Sequence, residues 1–177
     1  MNTILETERL ILREWTPADV RAVYEMCSDP LVMRHIGDGR AWETLGRAEL
    51  WMERVTGAYR EHGYGRYAVV EKATGRVVGS CGFGPPGGPL GIDFGYVYAR
   101  AAWGRGYATE AGRACLRYGF ERFGFEEVIA DTDLENHASR RVLEKIGFEF
   151  RGLKRDEGDE EDSTFYVARN PFVPRGG

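Results

Sequence analysis

Cysteine and histidine are scarce in this sequence, with three residues of each among 177. Cys27, Cys81 and Cys115 are odd in number and far apart, which argues against a disulfide framework. Neither residue type shows the paired spacing of a structural zinc site. We therefore predict no metal ion, and we expect each cysteine to pack as a small apolar side chain.

Long apolar runs and a basic charge balance are also missing. No stretch approaches the ~20 apolar residues of a membrane-spanning helix, and residues 1–6 have neither the basic start nor the apolar centre of a signal peptide. The formal net charge is −4 and the basic residues are dispersed, which disfavours nucleic acid as the main partner. We expect a cytoplasmic protein with neither a membrane nor a nucleic-acid partner.

What the sequence does contain fits one globular domain. Hydrophobic residues make up 42% of the chain and charged residues 29%, close to the proportions of ordinary folded proteins. The length is sufficient for one buried core, and neither repeats nor low-complexity linkers divide it. We predict a single domain over residues 1–177.

Apolar periodicity predicts alternating strands and helices. The predicted strands are 8–15, 66–71, 76–83, 92–98, 127–132, 149–155 and 163–168, and the predicted helices are 17–27, 44–61, 107–123 and 136–146. Thr16 and Asp19 form a start signal for the first helix, and Gly147 is a stop signal for the last. This order of elements favours an α/β protein with one mixed sheet flanked by about four helices.

One stretch, residues 91–111, combines a strand with a glycine-rich helix start. The first amides of a helix have no carbonyl partner and carry partial positive charge, so they bind phosphate readily. Gly104 and Gly106 allow close approach to the backbone, and Arg105 adds a guanidinium donor. As an anion site, this pattern would indicate a ligand that carries a pyrophosphate; a simple turn with a solvated Arg105 is the other interpretation of a lone Gly-x-Gly sequence.

A dinucleotide-binding fold would also place a Gly-x-Gly sequence after a strand, with an acid such as Asp131 near the end of the next strand. Thr109 stands at the third glycine position of that motif, and the connection 99–103 is longer than its tight first turn. Hairpin strands also precede the motif in place of a second βαβ half. These departures disfavour a dinucleotide fold.

Three motifs carry a family resemblance. Residues 103–111 (WGRGYATEA) are similar to the acetyl-CoA pyrophosphate loop of the GNAT superfamily of N-acetyltransferases, in the form typical of its RimJ/RimL-like, ribosomal-protein branch. Residues 7–13 (TERLILR) and 136–148 (NHASRRVLEKIGF) resemble the same branch in the same order. Trp103 stands where the general pattern has Gln or Arg, a departure that the branch shares.

The resemblance implies a GNAT fold whose sheet has six to seven strands, is mostly antiparallel and is splayed between its central strands. It implies transfer of acetyl from acetyl-CoA to a primary amine, on a protein N-terminus or a small molecule, by direct attack in a ternary complex. A catalytically silent acyl-CoA-binding domain with a sensing or interaction role would keep the same cofactor motif, so it is the alternative. A homodimer is also compatible with the resemblance.

The resemblance also assigns roles to individual residues. Asp93 stands where relatives often carry a Glu that acts as a base through water, whereas a solvent-facing or ion-paired Asp93 is the alternative. Asn136 would contact the cofactor or the reacting centre, a role compatible with a helix N-cap, and Ser139 would contact the cofactor. The predicted catalytic residues are Asp93, Asn136 and Ser139, and the predicted cofactor contacts are Tyr96, Val97, Tyr98, Gly104, Arg105, Gly106, Tyr107, Ala108, Thr109, Asn136 and Ser139.

In the family, the helical region near residues 33–61 lines the acceptor pocket. Trp42, Trp51 and Tyr59 in that region are equally compatible with a plain core position. The acidic segment 156–162 (DEGDEED) would border the pocket, and it is either a solvated loop or a charge that attracts a cationic amine. Glu110 is interpreted as structural, because a carboxylate in the first turn of a helix interacts favourably with the positive end of the helix dipole.

Overall fold

The computed structural model describes residues 2–84, 91–155 and 162–173. The strands are β1 (Thr3–Glu6), β2 (Leu10–Arg13), β3 (Arg66–Glu71), β4 (Val77–Phe83), β5 (Ile92–Tyr98), β6 (Glu127–Asp133), β7 (Glu149–Lys154) and β8 (Ser163–Arg169). The helices are α1 (Val20–Cys27), α2 (Pro30–Met33), α3 (Leu45–His62), α4 (Tyr107–Phe123) and α5 (His137–Ile146). All eight strands form one sheet in the order β1-β2-β3-β4-β5-β6-β8-β7.

The α/β class and the mixed sheet agree with the prediction, but the numbers of elements do not. Eight strands and five α-helices lie in the described residues, whereas the sequence predicts six to seven strands and about four helices. The additional strand, β1, has four residues and pairs only with β2. The additional helix, α2, is a single turn that begins where Asp29 accepts a hydrogen bond from the Leu31 amide. Both elements are too short for apolar periodicity to reveal them.

Two other sequence features fall largely outside the described part of the chain. Of the predicted loop at 84–89 only Gly84 is described, and of the acidic segment 156–162 only Asp162 is described. The expectation that the acidic segment borders an acceptor pocket therefore stays a prediction.

Hydrophobic side chains pack on both faces of the sheet. On one face, α4 and α5 contribute residues such as Leu116 and Leu143 to a cluster that includes Phe94 of β5. On the other face, α1 and α3 contribute Val23 and Met52 to a second cluster. The three cysteines are buried and free, as expected for small apolar side chains. Burial raises the pKa of the Cys27 thiol to about 12.

A buried ion pair fixes the start of α1 to β2. Arg13 donates to both carboxylate oxygens of Asp19, at 2.7 and 2.8 Å, and Asp19 also accepts from the amide and the hydroxyl of Thr16, both at 2.8 Å. Burial of Asp19 on its own would raise its pKa, but the hydrogen bonds from Arg13 and Thr16 outweigh burial and lower it. The predicted helix start is therefore also a tertiary contact.

The sheet opens between its central strands. β5 and β6 are the only parallel neighbours among the described strands, and they pair at Ile92↔Val128 and Asp93↔Ile129 alone. Along its other edge, β5 stays paired with β4 from Phe94 to Tyr98. We call the opening between residues 94–98 of β5 and β6 the split. Its position agrees with the splayed sheet that the family resemblance implies.

The Arg13–Asp19 pair yields a stability prediction. Asp19→Asn should lower the free energy of unfolding by about 3–5 kcal/mol, because it leaves the Arg13 guanidinium buried without a countercharge. Since the pKa of Asp19 is lowered by folding, its contribution should be present above the unfolded-state pKa of about 3.9 and be lost as the pH falls through the folded-state value. Urea unfolding at several pH values measures both effects.

Glu127→Gln is the matched control for Asp19→Asn. Glu127 pairs with Arg169 at 2.7 Å on the surface of the sheet, with about half of its side chain exposed. Removing this exposed pair should cost less than about 1 kcal/mol. An equal loss of stability in the two variants would contradict the role given to the buried pair.

Candidate functional site

The loop between β5 and α4 has a backbone that favours glycine at two positions. Gly104 and Gly106 have φ values of 72° and 78°, in the left-handed region, and Gly106 lies at the N-cap of α4. A Cβ atom at Gly104 would meet nothing within 4 Å, and one at Gly106 would meet only Arg9 Nη2 at 3.6 Å. The surface above the loop is therefore open, and an anion can approach the first amides of α4.

Arg105 is held by side chains that the sequence reasoning did not identify. Its Nη2 lies 2.7 Å from Oε1 of Glu71, and its guanidinium stacks on the ring of Tyr107. The hydroxyl of Tyr107 donates to the same oxygen of Glu71, a residue that is 5% exposed. This hydrogen bond is the main cause of the lowered pKa of Glu71. The guanidinium therefore anchors the loop, and its predicted contact with a phosphate would require it to share or leave Glu71.

A second set of contacts joins the same loop to the β1–β2 hairpin. Glu110 accepts hydrogen bonds from the Thr7 hydroxyl at 2.6 Å and from the backbone and side chain of Arg9 at 2.9 and 2.7 Å. Arg9 also donates to the carbonyl of Arg105 at 2.9 Å. Residues 7–13 and 103–111, which carry two of the three family motifs, therefore form one physical unit. The structural interpretation of Glu110 is supported by these contacts, in addition to its place in the first turn of α4.

Three predicted site residues meet beside the split. The hydroxyl of Tyr96, on β5, lies 2.8 Å from the hydroxyl of Ser139 and donates to the Ser139 carbonyl at 3.0 Å. Asn136 caps α5 by accepting from the Ser139 amide at 3.1 Å. The N-cap role is thus observed, and Asn136 Nδ2 donates to no atom of the described residues. Burial raises the pKa of the Tyr96 hydroxyl, so Tyr96 is neutral at physiological pH.

Backbone pairing shows which of the predicted amide contacts of β5 face the split and which face β4. The Gly84 amide donates to the Asp93 carbonyl, and the Ala99 amide donates to the Val78 carbonyl of β4. Because antiparallel pairing alternates along a strand, the backbone groups of Val97 also face β4, and those of Tyr96 and Tyr98 face the split. The amide contact predicted for Val97 is therefore not supported by the pairing, and those of Tyr96 and Tyr98 stay predictions. Trp103 occupies the carbonyl of Tyr98 by donating to it at 2.9 Å.

Asp93 projects from β5 on the face opposite to Tyr98 and is ion-paired. Its Oδ2 lies 2.5 Å from Nη2 of Arg66, and its Oδ1 has no hydrogen-bond partner among the described residues. Gly95 makes this pair possible, because a Cβ atom there would lie 1.8 Å from Arg66 Nη1. The ion-paired alternative of the sequence analysis is thus observed, and one oxygen of Asp93 is still able to accept a proton.

A cavity of about 390 Å³ lies beside Asp93, between β5, the helix α3 and the turn at Ile36 that follows α2. Trp51 lines this cavity, whereas Trp42 lines a neighbouring cavity of about 520 Å³. Tyr59 is a core residue, because its ring stacks on Tyr67 and its hydroxyl donates to the Arg66 carbonyl. The residues around the first cavity are Ile36, Trp51, Arg54, Val55, Ala58, Arg66, Ser80, Phe83, Gly84, Asp93, Tyr96 and Val97.

These features describe a site with two entrances. A phosphate-bearing ligand can lie along the glycine loop and the split, and a second molecule can occupy the cavity, so that the two meet near Asp93 and Tyr96. Among the described residues, no group of three or more His, Cys, Asp or Glu could hold a metal ion. No helix in the described ranges is both long enough and apolar enough to cross a membrane.

Comparison with known proteins gives a consistent family assignment. Residues 9–149 match the family described as acetyltransferase (GNAT) domain. The protein YkkB of Bacillus subtilis is 35% identical, over 84% of this chain and 86% of its own length. The structure of a GNAT-family acetyltransferase from Bacillus anthracis is 29% identical and superimposes with a TM-score of 0.81, over 94% of this chain and 98% of that one.

A structure from the ribosomal-protein branch is also similar in fold. Mycobacterium smegmatis RimJ, in complex with CoA-disulfide, superimposes with a TM-score of 0.76 over 94% of this chain and 84% of that one. The two sequences are 19% identical, so this likeness concerns the fold alone. Assignment to the RimJ/RimL-like branch therefore stays a prediction.

The glycine loop yields a binding prediction. Gly106→Val should raise the dissociation constant for CoA about 10-fold or more, because side-chain atoms would occupy the space through which an anion reaches the α4 amides. Calorimetry with CoA measures this constant. Gly75→Val is the matched control, since Gly75 also has a positive φ, 67°, and open surroundings, but lies in the β3–β4 turn. Unchanged CoA affinity in folded Gly106→Val would contradict the phosphate-binding interpretation.

Proposed function

The chain belongs to the GNAT acetyltransferase family, and from this premise we propose that it transfers acetyl from acetyl-CoA to a primary amine in the cavity beside Asp93. One observation carries the proposal: the glycine loop and split on one side, and the cavity on the other, converge on β5. The convergence would hold two substrates together for direct attack in a ternary complex. The chain is thus an N-acetyltransferase whose acceptor binds next to Asp93.

The residues around the split suit acetyl-CoA, which supplies the acetyl thioester. The glycine loop and the start of α4, residues 104–109, would hold the pyrophosphate through backbone amides. The Tyr96 and Tyr98 amides both face the split, where that of Tyr98 is available to an amide group of the pantetheine arm and that of Tyr96 to the thioester oxygen. Asn136 and Ser139 lie at the other edge of the split, close to Tyr96.

Asp93 and Tyr96 would have complementary roles in the reaction. The free oxygen of Asp93 would accept the proton of the attacking amine through a water molecule, while Arg66 holds the other oxygen in place. The Tyr96 amide would donate to the developing negative charge on the thioester oxygen, which for one well-placed donor contributes ~3–4 kcal/mol. Leu143 stands where many family members carry a Tyr acid, so the leaving thiolate would take its proton from Ser139 or from water, or would leave without a general acid.

The alternative of a silent acyl-CoA sensor differs in one measurable property. Both proteins would bind CoA, but only the enzyme would release thiol from acetyl-CoA in the presence of an amine. A panel of peptides with free N-termini and of small amines, including polyamines, covers the two acceptor classes. Tight CoA binding without turnover on any amine would favour the sensor over the enzyme.

The proposed base yields a kinetic prediction. Asp93→Asn should lower kcat by roughly 10²–10⁴ with little change in CoA affinity, the range expected for general acid–base catalysis. The deficit in kcat should shrink as the pH rises, because a larger fraction of the amine substrate is then already deprotonated in solution and needs no base. Glu127→Gln is a control that removes an ion-paired strand carboxylate at the sheet surface. Wild-type kcat for Asp93→Asn at neutral pH would remove Asp93 from the mechanism.

The Arg66–Asp93 pair yields a second kinetic prediction, because Gly95 allows Arg66 to be displaced while both side chains are kept. In Gly95→Ala the new Cβ would occupy the place of Arg66 Nη1. The guanidinium would then leave Asp93, and kcat should fall roughly 10- to 100-fold. Arg66→Gln should give a similar loss. Steady-state kinetics with an unchanged KM for acetyl-CoA would support a positioning role, and wild-type kcat in both variants would contradict it.

A further inference from the structure

The cavity beside Asp93 has apolar walls and few polar groups. Trp51 and Val55 of α3 form one wall, and Val97 of the sheet lies on the other side. The cavity volume of about 390 Å³ is that of a site for a small molecule. An occupant therefore needs an apolar body, and its specificity must come from the few polar side chains.

The charged side chains around the cavity do not balance. Arg66 and Asp93 neutralise each other through their ion pair. Arg54, an exposed residue of α3, lines both this cavity and the neighbouring one and makes no hydrogen bond or ion pair with any described residue. Among the described residues, one positive charge at the mouth of the cavity is therefore without a countercharge. A ligand with an anionic group there would gain a charge-assisted hydrogen bond.

A buried hydroxyl gives a second and independent indication of a polar ligand atom. Ser80 of β4 is completely buried and lines the cavity, and its Oγ has no hydrogen-bond partner in the described part of the chain. A buried hydroxyl without a partner is destabilising, so native structures rarely leave one unsatisfied. A substrate whose amine group reaches the sheet would supply the missing hydrogen-bond partner of the Ser80 hydroxyl.

We propose that the acceptor is a small apolar amine that carries a carboxylate at the far end of its apolar body, as an ω-amino acid does. The inference rests on the proposed function and specifies its substrate. The amine lies against Asp93 and Ser80, the apolar body lies between Trp51 and Val97, and the carboxylate pairs with Arg54. This assignment is opposite in charge to the cationic acceptor that the acidic segment 156–162 suggests.

Matched pairs of amines test the role of the carboxylate. The pairs are 4-(aminomethyl)benzoate with benzylamine, and 6-aminohexanoate with pentylamine. Thiol release from acetyl-CoA should give a kcat/KM roughly 3- to 10-fold higher for the carboxylate member of at least one pair. Spermidine and the peptide Phe-Ala-Ala-amide complete the panel as a cationic acceptor and as a peptide acceptor.

Arg54→Gln and Arg60→Gln separate a specific contact from general charge. Arg60 is an exposed arginine of the same helix that lines neither cavity. Arg54→Gln should abolish the carboxylate preference, and Arg60→Gln should keep it. Amine basicity cancels in this comparison, because each ratio uses the same two substrates. The preference should also weaken at high salt. Ser80→Ala should raise KM for both members of a pair roughly 2- to 10-fold.

A binding measurement makes the test independent of turnover. Calorimetry in the presence of CoA should show that 4-(acetamidomethyl)benzoate binds more tightly than N-benzylacetamide, and that Arg54→Gln removes the difference. Turnover of amines with no carboxylate preference, or with a preference for spermidine or the peptide, would overturn the inference and leave the proposed function intact. Absence of turnover with every amine, despite CoA binding, would instead count against the proposed function itself.

Discussion

The end of backbone pairing between β5 and β6 is the constraint on which the rest of the site depends. After Asp93 and Ile129 the two strands separate, while β5 remains paired with β4. Backbone amides that would otherwise be used within the sheet therefore face an opening, and the same strand carries Asp93 toward the cavity. The position of α4 and α5 on one face and of α3 on the other then determines which ligand can reach β5 from each side.

The loop at the end of the split is held by ionic contacts from distant parts of the chain. Glu71 of β3 holds Arg105, and Glu110 of α4 holds Thr7 and Arg9. These contacts explain why the family motif at residues 7–13 occurs together with the motif of the glycine loop, although nearly a hundred residues separate the two. A loop that must present its amides to an anion without rearrangement gains from such anchoring, because the amides are already oriented when the ligand arrives.

Local signals in the sequence were sufficient to predict the two helices beside the split, α4 and α5. α4 has the predicted bounds, and α5 begins after Asn136 and ends at Ile146, with Gly147 as its C-cap at a φ of 112°, as the capping residues indicate. The sequence could not reveal the partners of Asp93 and Arg105, because Arg66 and Glu71 become neighbours only when β3 enters the sheet. Ser80 and Arg54 escaped notice for the same reason, since a cavity is a property of packing and leaves no local pattern.

The central claim is that CoA lies in the split, with its pyrophosphate on the glycine loop. Amide hydrogen exchange with and without CoA tests this claim directly, because it reports on individual backbone groups. We predict that CoA slows exchange at Tyr96, Tyr98 and residues 104–109, and leaves Val97 unchanged, since its amide already faces β4. Protection confined to other parts of the chain, or none at all at saturating CoA, would contradict it.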